Sequence, residues 1–305
     1  MLGLFRKANA PDTDPAEADL ELRAARDRAL AGDWTAVHRL IAAAGRDREL
    51  RARRLSVLAA TAARDPRWLL AWEAAMPEDP AVAILRAHTL LDQEAARDSG
   101  LAARAVRRAA ELNPDDAHPL VISMNTMFAD GYRRAGDFAD SLREALRRDP
   151  HHFEAHLAAV RFACARWYGT HDEMFAAARS AAAGAPPGSP AVLLPLLAHF
   201  EYALREVPAL TAAKAYFSRA DVRAEITCCA AKWRAGQDHR LTGRGVTARH
   251  WLALAAYLSD QDREAARTLL TEVGSFLGDT PVYGYFWATP AEGFHAVQRW
   301  AKVIA

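Results

Sequence analysis

The feature that most restricts how this chain can fold is its punctuation. Acidic-or-amide-plus-proline steps stand at Asp79-Pro80, Asn113-Pro114 and Asp149-Pro150, and Pro186-Pro187 continues the series at intervals of about 35 residues. Proline suits the first turn of a helix, where its missing N–H costs nothing, so each step marks the opening of a new helix pair. A second series lies between the first: Gly32, Gly100, Gly136 and Gly169 fall where the two helices of a pair would join. Ala31-Gly32-Asp33-Trp34 and Ala135-Gly136-Asp137-Phe138 are nearly the same text. Glycine in the left-handed conformation can end one helix, and the following Asp can cap the next. Two interleaved series in fixed phase predict an all-α chain, an α-solenoid of antiparallel helix pairs.

The segments between these marks are rich in Ala, Leu and Arg, with apolar residues at i, i+3, i+4 and i+7. Sixteen helices are expected, from 17–31 to 291–303. Among them are 80–97, 115–135, 138–148, 150–168 and 171–183. The text before two of the prolines, AVRRAAELNP (105–114) and SLREALRRDP (141–150), resembles the tail of a tetratricopeptide repeat. Ala109 and Ala145 each lie five residues before the proline, small enough to let neighbouring helices approach closely. The Trp-Leu-Gly-Tyr text of that repeat's first helix is missing, so the repeats read as tetratricopeptide-like and degenerate. Residues 1–15 read as a flexible tail. Residues 16–305 read as one helical-repeat domain, with an irregular C-terminal cap from about 236.

Composition narrows the partners. Lys+Arg 39 against Asp+Glu 38 leaves no net field to gather nucleic acid or anionic lipid. Three cysteines, two of them adjacent at Cys228 and Cys229, argue against a disulfide framework and fit a reducing cytoplasm. No apolar run is long enough for membrane insertion or secretion. Heavy use of Ala and Arg suggests a GC-rich bacterial genome.

The stretch RWYGTHDEMFAAAR (166–179) looks most like chemistry. With Gly169 at a joint, Thr170 becomes a helix N-cap and Glu173 its reciprocal partner, a capping box. Asp172 and Glu173 add negative charge at the positive end of the helix dipole. His171 and the Trp167-Tyr168 pair are left over. The same stretch resembles the signature of a bacterial domain family of unknown function, in which Trp-x-Gly-Ser/Thr-His precedes an acidic pair, Met and Phe. The resemblance extends over roughly 110–290 and is most specific at 166–175. It implies a helical-repeat fold and no established reaction, so it assigns no catalytic residue.

Other candidates carry bland readings beside the sharp ones. His152 and His156 have the i,i+4 spacing of a metal pair, with His151 and Glu154 adjacent. No third ligand is specified, and capping and packing explain them as well, so no metal or cofactor is assigned. Counting from Pro114, Pro150 and Pro187, the residues facing a concave groove are His118, Val121, Asn125 and Phe128, then Glu154, Leu157, Arg161 and Cys164, then Ala191, Leu194, Ala198, Glu201 and Tyr202. Asn and Arg there suit peptide backbone or carboxylate. The candidate ligand or peptide groove is therefore His118, Asn125, Glu154, Arg161, His171, Glu201 and Tyr202. Arg240, Arg244 and Arg249 surround Gly243-Arg244-Gly245, an anion loop or simply an exposed one. Tyr283, Tyr285, Phe286, Trp287, Phe294 and Trp300 read as a packed C-terminal cap rather than a ligand wall. No nucleophile elbow, phosphate loop or dinucleotide fingerprint is present. The leading expectation is an interaction module that binds a peptide or protein segment, as monomer or homodimer. The alternative is an enzyme or small-molecule binder using His118, Glu154, Arg161, His171 and Glu201.

Overall fold

The Ala- and Leu-rich segments fold as helices throughout, and among the described residues no strand forms. A computed structural model describes residues 10–91, 100–129, 131–167, 169–236 and 240–303. The helices are α1 (Leu20–Leu30), α2 (Thr35–Ala43), α3 (Arg48–Arg64), α4 (Arg67–Ala75), α5 (Pro80–Leu91), α6 (Leu101–Leu112), α7 (His118–Thr126) and α8 (Ala135–Arg148). They continue with α9 (Phe153–Phe162), α10 (His171–Gly184), α11 (Leu194–Glu206), α12 (Leu210–Phe217), α13 (Ala220–Arg234), α14 (Gly245–Ser259), α15 (Arg263–Val273) and α16 (Pro290–Trp300). Short 3-10 turns at 165–167, 190–193 and 281–285 fill the longer joints. Among the described residues no helix is long and apolar enough to cross a membrane.

Neighbours in chain order pack on each other: α5 on α6, α7 on α8, α9 on α10, α10 on α11, and α14 on α15. Ala109 and Ala145 are wholly buried, as close helix approach requires. One apolar core, around Trp72, Leu58 and Ile84, draws on the N-terminal helices, and a second, around Phe200, Phe217 and Phe294, on α9 to α16. Burial at this scale, about 25 cal/mol per Å² of apolar surface, dominates the stability of such packing. Tyr283 and Phe294 of the aromatic group are buried in the second core, the position of a packed cap.

The punctuation resolves unevenly. Gly32 (φ 101°) and Gly100 (φ 72°) take the left-handed conformation. Gly136 does not, because the chain breaks earlier, in a 3-10 turn at 131–134, and α8 already starts at Ala135. Asp33 caps no helix. It accepts the Thr35 hydroxyl at 2.5 Å and pairs with Arg28, while Trp34 takes the N-cap place without a side-chain bond. Of the prolines, Pro80 opens α5 directly, whereas α7 and α9 begin four and three residues after Pro114 and Pro150. The helix expected over 115–135 stops at Thr126 and that over 150–168 stops at Phe162, each giving way to 3-10 turns. The end of the helix expected over 80–97 lies outside the described residues, as does Tyr168. The capping box is present: Thr170 Oγ1 accepts from Glu173 N at 3.2 Å, and the Glu173 carboxylate accepts from Thr170 N at 2.9 Å.

The described part of the N-terminal segment is docked rather than free. Asp12 N donates to Ser275 O at 2.8 Å, Leu277 N donates to Asp12 O at 2.8 Å, and Arg23 and Arg26 hold Asp12 and Asp14. The beginning of α3 then meets the middle of the chain, where Arg51 pairs with Asp116 and Arg48 Nη1 donates to Arg148 O at 2.9 Å. Polar side chains from distant segments thus meet beside the start of α3.

Candidate functional site

Among these side chains Glu154 pairs with Arg244. The start of α9 places the acid: His152 is the N-cap, its Nδ1 accepting from Ala155 N at 3.3 Å, and Glu154 follows in the first turn. A tight turn places the base. A Cβ on Gly245 would lie 1.9 Å from Arg240 O, so only glycine lets the backbone fold closely enough to aim Arg244 inward. The guanidinium lies 5.4 Å over the Phe153 ring. Burial alone would raise the Glu154 carboxyl, but the Arg244 charge and hydrogen bond outweigh it and hold it at about 2. The reciprocal effect raises Arg244.

Two further acids stand near this pair. Glu49, in the first turn of α3, is pushed up to about 8 by burial, with Glu154 and Asp47 repelling its charge and Arg244 and Arg53 only partly offsetting them. Glu17 is raised to about 7, again by burial, against the pull of Arg53 and Arg244. Arg53 lies 3.5 Å from Glu17 and 3.1 Å from Asp279.

Two cavities flank the Glu154–Arg244 pair, which stands between them. One, of about 370 Å³, is lined by Asp47, Glu49, Trp233, Arg240 and Arg244 among others. The other, of about 280 Å³, is lined by Asn125, Phe128, Glu154, Arg161, Arg166 and Trp167 with Leu157 and Ala158. In the smaller cavity Arg166 Nη2 donates to Glu201 Oε1 at 2.9 Å, and Tyr285 holds the same oxygen at 2.7 Å. The Arg161 guanidinium makes no hydrogen bond or ion pair to any described residue, and its Nε is sealed without an acceptor.

The groove residues named from the sequence therefore divide. Asn125, Glu154 and Arg161 share one cavity, and Glu201 sits behind Arg166 at its edge. His171 lies apart, 2.9 Å from Glu206 and edge-on to Tyr202. Tyr202 faces a different cavity, stacked on Tyr216 at 4.8 Å. His118 faces no groove. It is buried between His88 and His152, with ring centroids 5.9 and 5.8 Å away and neither ring nitrogen bonded. Leu157 is buried yet also lines the cavity of Asn125 and Arg161, whereas Val121, Cys164, Ala191, Leu194 and Ala198 are core, the last three beneath α14, which packs across α11. Nor do Arg240, Arg244 and Arg249 form an anion loop: Asp47, Glu154 and Glu272 hold them in turn. His156 Nε2 lies 2.9 Å from Pro150 O, and no described cluster of His, Cys, Asp and Glu has the grouping to hold a metal ion.

With this geometry in view, the chain was compared with known proteins. No family model, curated protein or solved structure matches it. The residues themselves therefore have to supply the reading.

They supply a pH dependence first. Glu49 and Glu17 have folded-state values above the ordinary 4.5, so the folded chain keeps protons that the unfolded chain releases. Their contribution is complete below about 4.5 and lost as pH rises through 7 and 8. His250 acts in the opposite sense: burial depresses it to about 4, so its contribution is lost as pH falls below 6.5. Between 6.5 and 8 the carboxyls dominate. Stability should fall there by at most about 1.4 kcal/mol per pH unit for each group. Thermal melts across this window check the slope, and Glu49→Gln should flatten it. An unchanged slope in the variant would remove Glu49 from the account.

Proposed function

We propose that the chain is a tetratricopeptide-like α-solenoid, related to the Trp-x-Gly-Ser/Thr-His family its 166–175 stretch resembles, and that it is an interaction module. Its ligand is the carboxylate end of a peptide or protein segment. Packing of helices in chain order and the capping box at Thr170 support the architectural part. The observation that carries the functional part is Arg161. This guanidinium lines a cavity beside Asn125 and Arg166 and has no acceptor of its own. Arginine favours planar, charge-assisted recognition of carboxylates, and asparagine can add directional bonds to peptide backbone. Phe128 and Trp167 supply apolar walls for the adjoining side chain.

Size limits the ligand. A cavity of about 280 Å³ lies at the small end of the ~300–1,000 Å³ range of small-molecule sites, so it holds a terminus rather than an extended segment. The inner face beyond it is already taken by α3 and the 240–245 turn. Acid–base catalysis in the same cavity has little support, because a carboxylate held at about 2 is a poor general base at neutral pH.

A peptide library displayed with free C-terminal carboxylates, and the same library amidated, would test the reading. The free acids should bind and the amides should not. Arg161→Ala should weaken binding by about 2–3 kcal/mol, the range for hydrogen bonds to charged groups and their loss, and Asn125→Ala by about 1. If both variants retain every binder, the Arg161 cavity is not the site.

A further inference from the structure

The larger cavity has a different chemistry. Its two arginines are already matched: Arg240 pairs with Asp47 at 2.9 Å, and Arg244 with Glu154. Arg244 Nη2 is committed to Glu154, and its Nε is shut off from solvent without an acceptor. Glu49 is the remaining charge-bearing group, and it makes no hydrogen bond or ion pair with any described residue. Leu50, Pro187, Pro190, Trp233 and Thr242 are among the other lining residues. Trp233 already carries the Arg249 guanidinium 5.5 Å over its ring, so it acts as an apolar wall.

An unpaired carboxyl at the side of a partly apolar cavity calls for a cation. An inorganic divalent ion is a poor match, since it takes about six or more oxygen ligands and Glu49 is the single free carboxylate here. An anion would meet the carboxylates of Glu49, Asp47 and Glu154, and both arginines of the cavity already have acidic partners. The cavity's volume of about 370 Å³ falls within the ~300–1,000 Å³ of small-molecule sites.

We propose that this cavity binds a small organic cation, a primary ammonium or guanidinium compound, with the Glu49 carboxylate as its counter-ion and the Leu50, Pro190 and Trp233 side chains against its alkyl chain. The site is separate from the Arg161 cavity and independent of the function proposed for it. Binding charges Glu49, whose value near 8 leaves it largely protonated at neutral pH in the free protein. Each cation bound near neutral pH therefore releases up to one proton to solvent, and affinity rises with pH until about 8.

Isothermal titration of the full chain with putrescine and with agmatine, in two buffers of different ionisation enthalpy, reads both quantities. Expected are one binding event, release of close to one proton at neutral pH, and affinity about tenfold weaker one pH unit lower. Glu49→Gln should weaken binding by at least about tenfold, while Glu264→Gln, on an exposed face, should bind as the parent does. A cooperative melt of Glu49→Gln at pH 6, at a temperature no lower than the parent's, shows that this variant is folded. The proposal is overturned if neither cation binds at pH 8, if Glu49→Gln binds as tightly as the parent, or if inorganic phosphate occupies the cavity instead.

Discussion

Replacing Arg244 with methionine is expected to cost about 3–5 kcal/mol of stability at neutral pH, the range for breaking a buried ion pair from one side. The reason is the company Arg244 keeps. Its charge holds Glu154 at about 2 and is among the forces opposing the rise of Glu49 and Glu17. Without it, Glu49 and Glu154 repel each other, and Arg53 is left as a cation acting on both and on Glu17. Glu154 must then be protonated or stay charged at high cost, so its folded-state value moves above 4.5 and the deficit grows as pH rises. Urea denaturation at pH 5 and pH 8 should show the smaller loss at the lower pH. Glu154→Gln combined with Arg244→Met should recover much of the loss, since removing both partners leaves no bare charge, and a double-mutant cycle isolates their coupling. A single-variant loss below about 1 kcal/mol would mean the pair behaves like a surface salt bridge.

How this interior arises also explains what the sequence could and could not disclose. The capping box at Thr170 and the small residues Ala109 and Ala145 were legible because their physics is local: a hydroxyl three residues from a carboxylate, an alanine where two helices touch. Asn125, Glu154 and Arg161 were legible through spacing, since all three follow from the count after Pro114 and Pro150. Gly136 was misplaced because its text copies that around Gly32, while the break before it is made by a 3-10 turn with no simple residue signature. Arg244 was noticed for the wrong reason. Beside two other arginines it resembled an anion loop, and its real partner lies 90 residues away. Glu49 carries no local sequence signature that sets it apart from other acids in first helical turns. Its surroundings depend on the start of α3 meeting Asp116, Arg148 and the Glu154–Arg244 pair, long-range contacts that no local pattern encodes. His118 failed as a groove residue for the same reason, since His88 of α5 and His152 at the start of α9 close around it.

Gly169 and Gly136 offer a direct contrast, because one register assigned them the same role. A Cβ on Gly169 would lie 2.1 Å from Ala163 O, 2.5 Å from its carbonyl carbon and 2.8 Å from its Cα. All three are backbone atoms, so no rotamer change relieves the overlap. Gly169 N also donates to Cys164 O at 3.2 Å, and Trp167 N donates to the same oxygen at 2.8 Å, closing the turn between α9 and α10. Gly169→Ala must therefore open that turn, at an expected cost of about 3 kcal/mol, the upper end for overpacking. Thr170→Ala removes only the neighbouring cap and should cost about 1 kcal/mol. Gly136→Ala should carry the opposite sign. Nothing lies within 4 Å of its Cβ position, and it occupies the second residue of α8, so alanine should stabilise by about 0.5–1 kcal/mol. Chemical denaturation of the three variants orders them, and a Gly169→Ala loss no larger than that of Thr170→Ala would show that the close approach is not needed. The turn has a second consequence. It carries Arg166 and Trp167 into the cavity beside Arg161, so the folded fraction of Gly169→Ala should also bind free-acid peptides more weakly. Thr170→Ala, which leaves the turn closed, should bind them as the parent does.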